Sequence, residues 1–368
     1  MSTFIERLDA PGTGTRVAVK DLIAMAGYPT TAGCRALADR AVPEAEDAPC
    51  LAGIRAAGAR VVGRVNLHEL AFGATGINPW FGTPENPLDA GLVPGGSSSG
   101  SAVAVANDEA DVALGTDTGG SVRHPSACCG TVGLKTTYAR ISTEGVWPLA
   151  PSLDTIGPMA RDVAGVILGM QLLEPGFNAA ETPATTIGRV RGISSDPDVD
   201  AAIDAALRAS GFDVVDIEIP NWTLASLSAL TVLVAEGAAS NAVLYDTAPA
   251  SIGDDVRGFI EIGQGVSPAQ LSEARDFGVA WQRELADSFQ RVEVLALPTM
   301  PIFPPRLEDD PSAMPMLCAA VNLAGVPALA QPVPSSRSIP ASLQLVGPHG
   351  SEELLVATGA VVEAATAR

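Results

Sequence analysis

Apolar residues fall into short runs and longer periodic stretches, and the two kinds alternate along the chain. Val17-Ala18-Val19, closing on Lys20, reads as a short strand, as do Arg60–Arg64, Ala110–Gly115, Val292–Leu297 and Ala341–Val346. Longer stretches at 46–57, 159–173, 199–210, 222–245 and 268–290 read as helices. Ser101–Asn107 is small and apolar and opens a helix packed closely on its neighbours, and 351–366 reads as an amphipathic helix. Residues 174–200, polar and dotted with Pro and Gly, are expected to form surface loops. Strand–helix alternation of this kind predicts an α/β fold: a large mixed or parallel sheet with helices on both faces.

Composition narrows the class. The 368 residues suffice for one large α/β domain or about two ordinary ones. With 47% apolar and 17% charged residues, the chain has a large buried core and is neither disordered nor fibrous. A net charge of −20 and the lack of any basic run argue against nucleic acid or an anionic membrane as a partner, and 4% aromatic residues leave little for base stacking. The uncharged stretch 311–336 is broken by Pro311, Pro315, Pro327, Pro332 and Pro334, so no spanning helix is expected there. Residues 1–7 lack the charged-then-apolar order of a secretory leader. Five cysteines, an odd number without CxxC spacing, suit free thiols in a reducing compartment rather than a metal site. A cytoplasmic setting is expected.

The chemistry concentrates in two glycine-rich loops. Val93-Pro94-Gly95-Gly96-Ser97-Ser98-Ser99-Gly100-Ser101 is one, and Gly115-Thr116-Asp117-Thr118-Gly119-Gly120-Ser121-Val122-Arg123 the other. Glycine allows the turns that leave consecutive N–H groups pointing outward, and a hydroxyl beside such a nest suits a nucleophile next to an oxyanion hole. A serine needs a base. The chain has three histidines (His68, His124 and His349), and a lysine can serve if burial or a cationic neighbour lowers its pKa by roughly 3, about 4 kcal/mol. Lys20 follows an apolar strand, so burial is expected there. Cys129 is a weaker candidate nucleophile than Ser121. A second arrangement is formally present: Gly96-Ser97-Ser98-Ser99-Gly100 fits GxSxG with His349 late in the chain, as in an α/β-hydrolase using Ser98.

These segments together resemble the amidase signature family, whose members use a Ser–cis-Ser–Lys triad. Val17-Ala18-Val19-Lys20-Asp21, followed by Gly27 and Thr30-Thr31-Ala32-Gly33, is similar to the family's lysine segment. Asn78, Gly82-Thr83-Pro84 and Asn86-Pro87 match the approach to the first serine loop, and Gly133-Leu134-Lys135 and Ser152–Pro158 continue the pattern. The spacing of Ser97 and Ser121 is the family's usual one. The resemblance is strong over 16–163, poor over 164–290, and returns weakly around Pro298-Thr299 and Asn322–Pro327; among compact members, the indole-3-acetamide hydrolases are similar.

The resemblance implies one amidase domain over 1–368, with a signature core at 16–163, a variable substrate-shaping region at 164–290 and a C-terminal part at 291–368. It implies catalytic residues Lys20 (neutral base), Ser97 (bridging serine with a cis peptide) and Ser121 (nucleophile), with the N–H groups of Thr118, Gly119, Gly120 and Ser121 as the oxyanion hole. Arg123 is a candidate for a substrate carboxylate, with structural pairing inside the motif the favoured reading. No metal or organic cofactor is implied; the expected partner is a small-molecule amide, and a homodimer is compatible. The alternatives are a non-catalytic or amidotransferase-type subunit on the same scaffold. Asp117 is expected to pin its loop, Asp154 to be architectural, and Trp80, Trp147 and Met25 to pack in the core rather than line an acyl pocket.

Overall fold

The computed structural model describes residues 2–367. Among them, eleven strands join in one sheet: β1 (Phe4–Arg7), β2 (Arg16–Lys20), β3 (Arg60–Val65), β4 (Val112–Asp117), β5 (Val132–Lys135), β6 (Thr155–Ala160), β7 (Thr186–Arg191), β8 (Asp213–Glu218), β9 (Val294–Pro298), β10 (Ala328–Val333) and β11 (Ala341–Val346). Their order is β1-β3-β2-β4-β6-β5-β10-β11-β9-β7-β8. The sheet is mixed. Pairing is parallel where β2 meets β3 and β4 and where β7 meets β8 and β9, and antiparallel through the middle, from β4 across β6, β5, β10 and β11 to β9. Every residue of β4, β6 and β9 is buried, as befits strands covered on both faces.

The helix Ser99–Ala106 is built from Ser, Gly, Ala and Val, and it is buried through Val105. Its small side chains let the backbone approach the sheet closely: a Cβ at Gly100 would lie 2.5 Å from both Asn66 N and Thr3 O. Farther along the sheet, the helices Trp222–Ser240 and Pro268–Ser288 pack together through Trp222 and Trp281, whose rings meet edge to face at 5.5 Å. Trp222–Ser240 is long and apolar enough to cross a bilayer by length and composition alone, but Trp222, Ala225, Ala229 and Val232 are buried in the protein. The uncharged stretch 311–336 is divided between the helix Ala319–Ala324 and β10.

Several expectations are corrected. The stretch 159–173 begins as the end of β6, and its helix starts only at Val163, capped by Asp162, which accepts from Gly165 N–H at 2.7 Å. At 46–57, Pro49 opens a single 3₁₀ turn, and the α-helix proper is short, Ala52–Ala56. The stretch 222–245 is two helices, Trp222–Ser240 and Ala242–Thr247. Residues 174–200, expected to be loops, contain the interior strand β7. Its Arg189 is buried and paired with Asp200 and Asp204 of the following helix, which disguises a core strand as a polar segment. The helix Asp254–Gln264 falls where the pattern predicts none.

Candidate active site

Because β2 and β4 run parallel, with Val19 opposite Leu114, their carboxyl ends share one edge of the sheet. β2 ends on Lys20, which is wholly buried. Its Nζ lies 2.8 Å from Ser97 Oγ, 3.0 Å from Ser98 Oγ and 2.7 Å from Thr116 Oγ1. Among the described residues no carboxylate pairs with it, so burial dominates and lowers its pKa from 10.5 to about 7, with Asp117 and Asp154 pulling upward from farther off. In its neutral form the amine offers one lone pair and two N–H bonds, enough to accept the Ser97 proton while donating to Ser98 and Thr116.

The two glycine loops are joined to each other. Ser98 N–H donates to the Ser121 carbonyl at 3.1 Å, His68 N–H donates to the Ser97 carbonyl at 2.9 Å, and the Gly96–Ser97 peptide is cis. Lys20 and Ser97 are thus in hydrogen-bond contact, whereas the structure has no bond between the Ser97 and Ser121 hydroxyls. Ser121 lies on the wall of a cavity of about 370 Å³.

Asp117 organises the second loop. Its Oδ1 accepts from Gly120 N–H at 2.9 Å and Asn322 Nδ2 at 2.8 Å, and its Oδ2 accepts from Val122 N–H at 3.1 Å. Burial by itself would raise its pKa, but the Arg123 guanidinium holds the carboxyl well below the usual carboxylate range. Asp117 is therefore a fixed anion that pins the loop. Thr118 Oγ1 donates to Asp154 at 2.6 Å, and Asp154 also accepts from the N–H groups of Leu149 and Ala150, an architectural role as expected.

Two sequence assignments change. The Gly120 N–H is already donated to Asp117, which removes it from the oxyanion donors; Thr118, Gly119 and Ser121 have no hydrogen-bond acceptor for their N–H groups among the described residues. Arg123 does not face the cavity. It is fully buried, and its five N–H donors go to Asp117, Asn322, Gln344 and the Cys318 carbonyl, leaving none for a substrate carboxylate.

The α/β-hydrolase arrangement is not built. No strand leads into Ser98, whose hydroxyl is held by Lys20 and Thr116, and His349 lines a separate surface cavity with Tyr138 and Phe289. Trp80 and Trp147 bond Glu69 and Asn241, and Met25 is buried in the core, so none of the three lines the cavity. Its apolar wall comes from Phe72, Leu149, Leu230, Leu233, Phe259 and Ile262. Four of these lie in the poorly matching middle of the chain, where no motif marks them.

A buried lysine and two serines on paired glycine loops, at the carboxyl edge of a mixed α/β sheet, define an enzyme acting on carboxamide C–N bonds. The sequence model of the Amidase family matches residues 6–356, and the chain belongs to that family. It is 36% identical to the A subunit of the glutamyl-tRNA(Gln) amidotransferase of Halobacterium salinarum, over 96% of each chain. With the protein of the same name from Thermus thermophilus it shares 37% identity, over 97% of this chain and 86% of that one. A solved amidase structure superposes with a TM-score of 0.88 at 31% identity, covering 95% of this chain and 84% of the other.

Proposed function

We propose that the chain is an amidotransferase-type catalytic subunit that releases the nitrogen of a carboxamide through an acyl-enzyme on Ser121. The observation that carries the chemistry is the buried Lys20 Nζ, 2.8 Å from Ser97 Oγ and brought by burial to a pKa of about 7. Lys20 takes the Ser97 proton as Ser97 takes the Ser121 proton, and Ser121 Oγ bonds to the carbonyl carbon. The N–H groups of Thr118, Gly119 and Ser121 receive the oxyanion. Collapse breaks the C–N bond, the proton returns through Ser97 to the leaving nitrogen, and water then cleaves the ester. The amidotransferase part of the reading is supported by relatives of that name over nearly the whole chain. Their name marks one subunit of an assembly, and the net charge of −20 leaves any contact with tRNA to another subunit. A cytoplasmic setting is part of the proposal.

A second reading, a free-standing hydrolase of a small-molecule amide, is favoured by one observation: the cavity beside Ser121 is walled by phenylalanine and leucine. Ammonia release separates the two. The purified chain is assayed on glutamine and on uncharged aryl amides, with and without amidotransferase partner subunits. Glutamine turnover that needs the partners upholds the first reading, and aryl-amide turnover by the chain alone upholds the second. A serine-reactive fluorophosphonate is expected to label Ser121; peptide mass spectrometry finding the adduct elsewhere would overturn the shared mechanism.

A further inference from the structure

The cavity beside Ser121 contains one charge that the acyl-transfer chemistry does not use. It belongs to Asp255, in the first turn of the helix Asp254–Gln264. Asp255, Phe259 and Ile262 all line the cavity, and their spacing by single helical turns puts them on one face of that helix. Phe259 stacks on Phe72 of the same wall at 5.4 Å. The start of the helix is held from below: Gly253 N–H donates to Oε2 of the buried Glu69 at 2.7 Å, and Trp80 Nε1–H donates to Glu69 Oε1 at 2.8 Å. Asp255 Oδ1 accepts from Val256 N–H at 2.9 Å, and Oδ2 lies 3.1 Å from His68 Nε2. The carboxylate is thus fixed in place without being filled. It has room for about four hydrogen bonds, and 48% of its side chain is exposed.

No lysine or arginine balances it. Among the described residues neither type lines the cavity, and the neighbouring Arg257 is paired with Asp254 at 2.8 Å. Burial pushes the Asp255 pKa up, but His68 beside it outweighs burial and holds the carboxyl below its ordinary value, an anion at neutral pH. A second anion stands beside the wall. Ser312 of the cavity donates its N–H at 2.9 Å and its hydroxyl at 3.0 Å to the exposed Asp310. A fixed carboxylate among phenylalanine and leucine, with no lysine or arginine to answer it, suits a cation brought by the ligand. An ammonium group carries the missing charge and donates three hydrogen bonds.

We propose that Asp255 is the specificity-determining residue of this cavity and receives an ammonium group on the acyl side of the substrate. This rests on Ser121 as the nucleophile and deepens the amidotransferase reading, because glutamine brings such a group as its α-ammonium. The substrate class is a primary carboxamide whose acyl chain carries an amine.

The test adds one group at a time to the same amide. Butanamide, 4-aminobutanamide, glutaramate and glutamine differ only in whether the far carbon bears nothing, an ammonium, a carboxylate or both. Their binding to Ser121→Ala protein, at pH 7 and low salt, is followed by calorimetry and needs no turnover. 4-Aminobutanamide should bind roughly five- to tenfold more tightly than butanamide, and glutamine should exceed glutaramate by a similar factor, as a charge-assisted contact with a half-exposed carboxylate allows. Adding Asp255→Asn, which keeps an acceptor for Val256 N–H, should bring both ratios to within about twofold of one. Where Ser121 is present and turnover occurs, the same loss should fall on KM more than on kcat. Ratios near one on protein that keeps Asp255, ratios that survive Asp255→Asn, or no binding by any of the four amides overturn the inference. The first of these outcomes is decisive whether or not the variant folds. Glutamine turnover that never responds to partner subunits overturns instead the amidotransferase reading, while the ratio of 4-aminobutanamide to butanamide still decides on Asp255. A fluorophosphonate adduct on a residue other than Ser121 overturns the nucleophile on which both rest.

Discussion

At the scale of single residues, Lys20 carries the pH dependence. Its folded pKa of about 7 means that kcat/KM should rise as pH passes through 7, when the amine loses its proton. Lys20→Met should lower kcat/KM by roughly 10²–10⁴-fold, and wild-type-like turnover would remove lysine from the mechanism. The same shift sets a stability slope. Between about 7 and 10.5 the unfolded lysine holds a proton that the folded one has lost, so stability rises with pH across that window and its slope vanishes below it. Lys135, buried and also lowered to about 7 by burial, contributes over the same range. Each lysine adds at most about 1.4 kcal/mol per pH unit. Urea unfolding between pH 7 and 8, below the range in which the five buried thiols, pushed upward from 9.0 by burial, oppose this slope, should therefore show a shallower rise of stability in Lys20→Met than in wild type. An unchanged slope would mean that the buried amine stays protonated. Lys20 was legible in the sequence because an apolar strand runs straight into it beside a recognisable motif. The structural pairing of Arg123 inside its motif was legible and is met by Asp117, but its other partners, Cys318, Asn322 and Gln344, were not, because they lie far along the chain and spacing within a motif says nothing of them.

At the scale of elements, the strands that carry the site were visible as short apolar runs. β2, β3 and β4 fall where the pattern put them, within a residue or two. β7 was hidden because it buries Arg189, whose charge is balanced by Asp200 and Asp204 in the next helix, a compensation only the fold displays. The second glycine loop and the helix Arg123–Cys129 that follows it depend on one anion in the same way. Asp117 gathers the N–H groups of Gly120 and Val122 and pairs with Arg123, and both side chains are fully buried. Asp117→Ala would strand the guanidinium without its counter-charge, a loss of about 3–5 kcal/mol of folding stability. Asp117→Asn keeps an acceptor for the loop and should lose less. Equilibrium urea denaturation measures both. An Asp117→Ala variant within about 1 kcal/mol of wild type would mean that Arg123 finds other compensation.

For the whole molecule, the disposition of cations has a consequence that can be measured. Of 22 basic residues only Lys20 and Lys135 are lysines, and neither has any exposed surface. Among the described residues arginine supplies the cation in every ion pair at the surface, so the ε-amines report on the interior alone. They sit well apart in the sheet, Lys20 between β3 and β4 and Lys135 opposite Ala328 of β10. Lys135 Nζ is held by the carbonyls of Thr136 and Val326 at 2.9 Å, Lys20 by three hydroxyls. An amine with a pKa near 7 is largely unprotonated at pH 8 and reacts readily once water reaches it, so burial is its whole protection. An acetylating N-hydroxysuccinimide ester at pH 8 should therefore leave both ε-amines of the native protein unmodified and acetylate both after unfolding in urea. Because one continuous sheet joins β1 to β8 through both lysine-bearing strands, the two sites should become reactive along the same denaturant curve. If Lys135 is acetylated at a lower urea concentration than Lys20, the half of the sheet beyond β6 opens by itself, and the chain unfolds in two parts rather than as one cooperative unit.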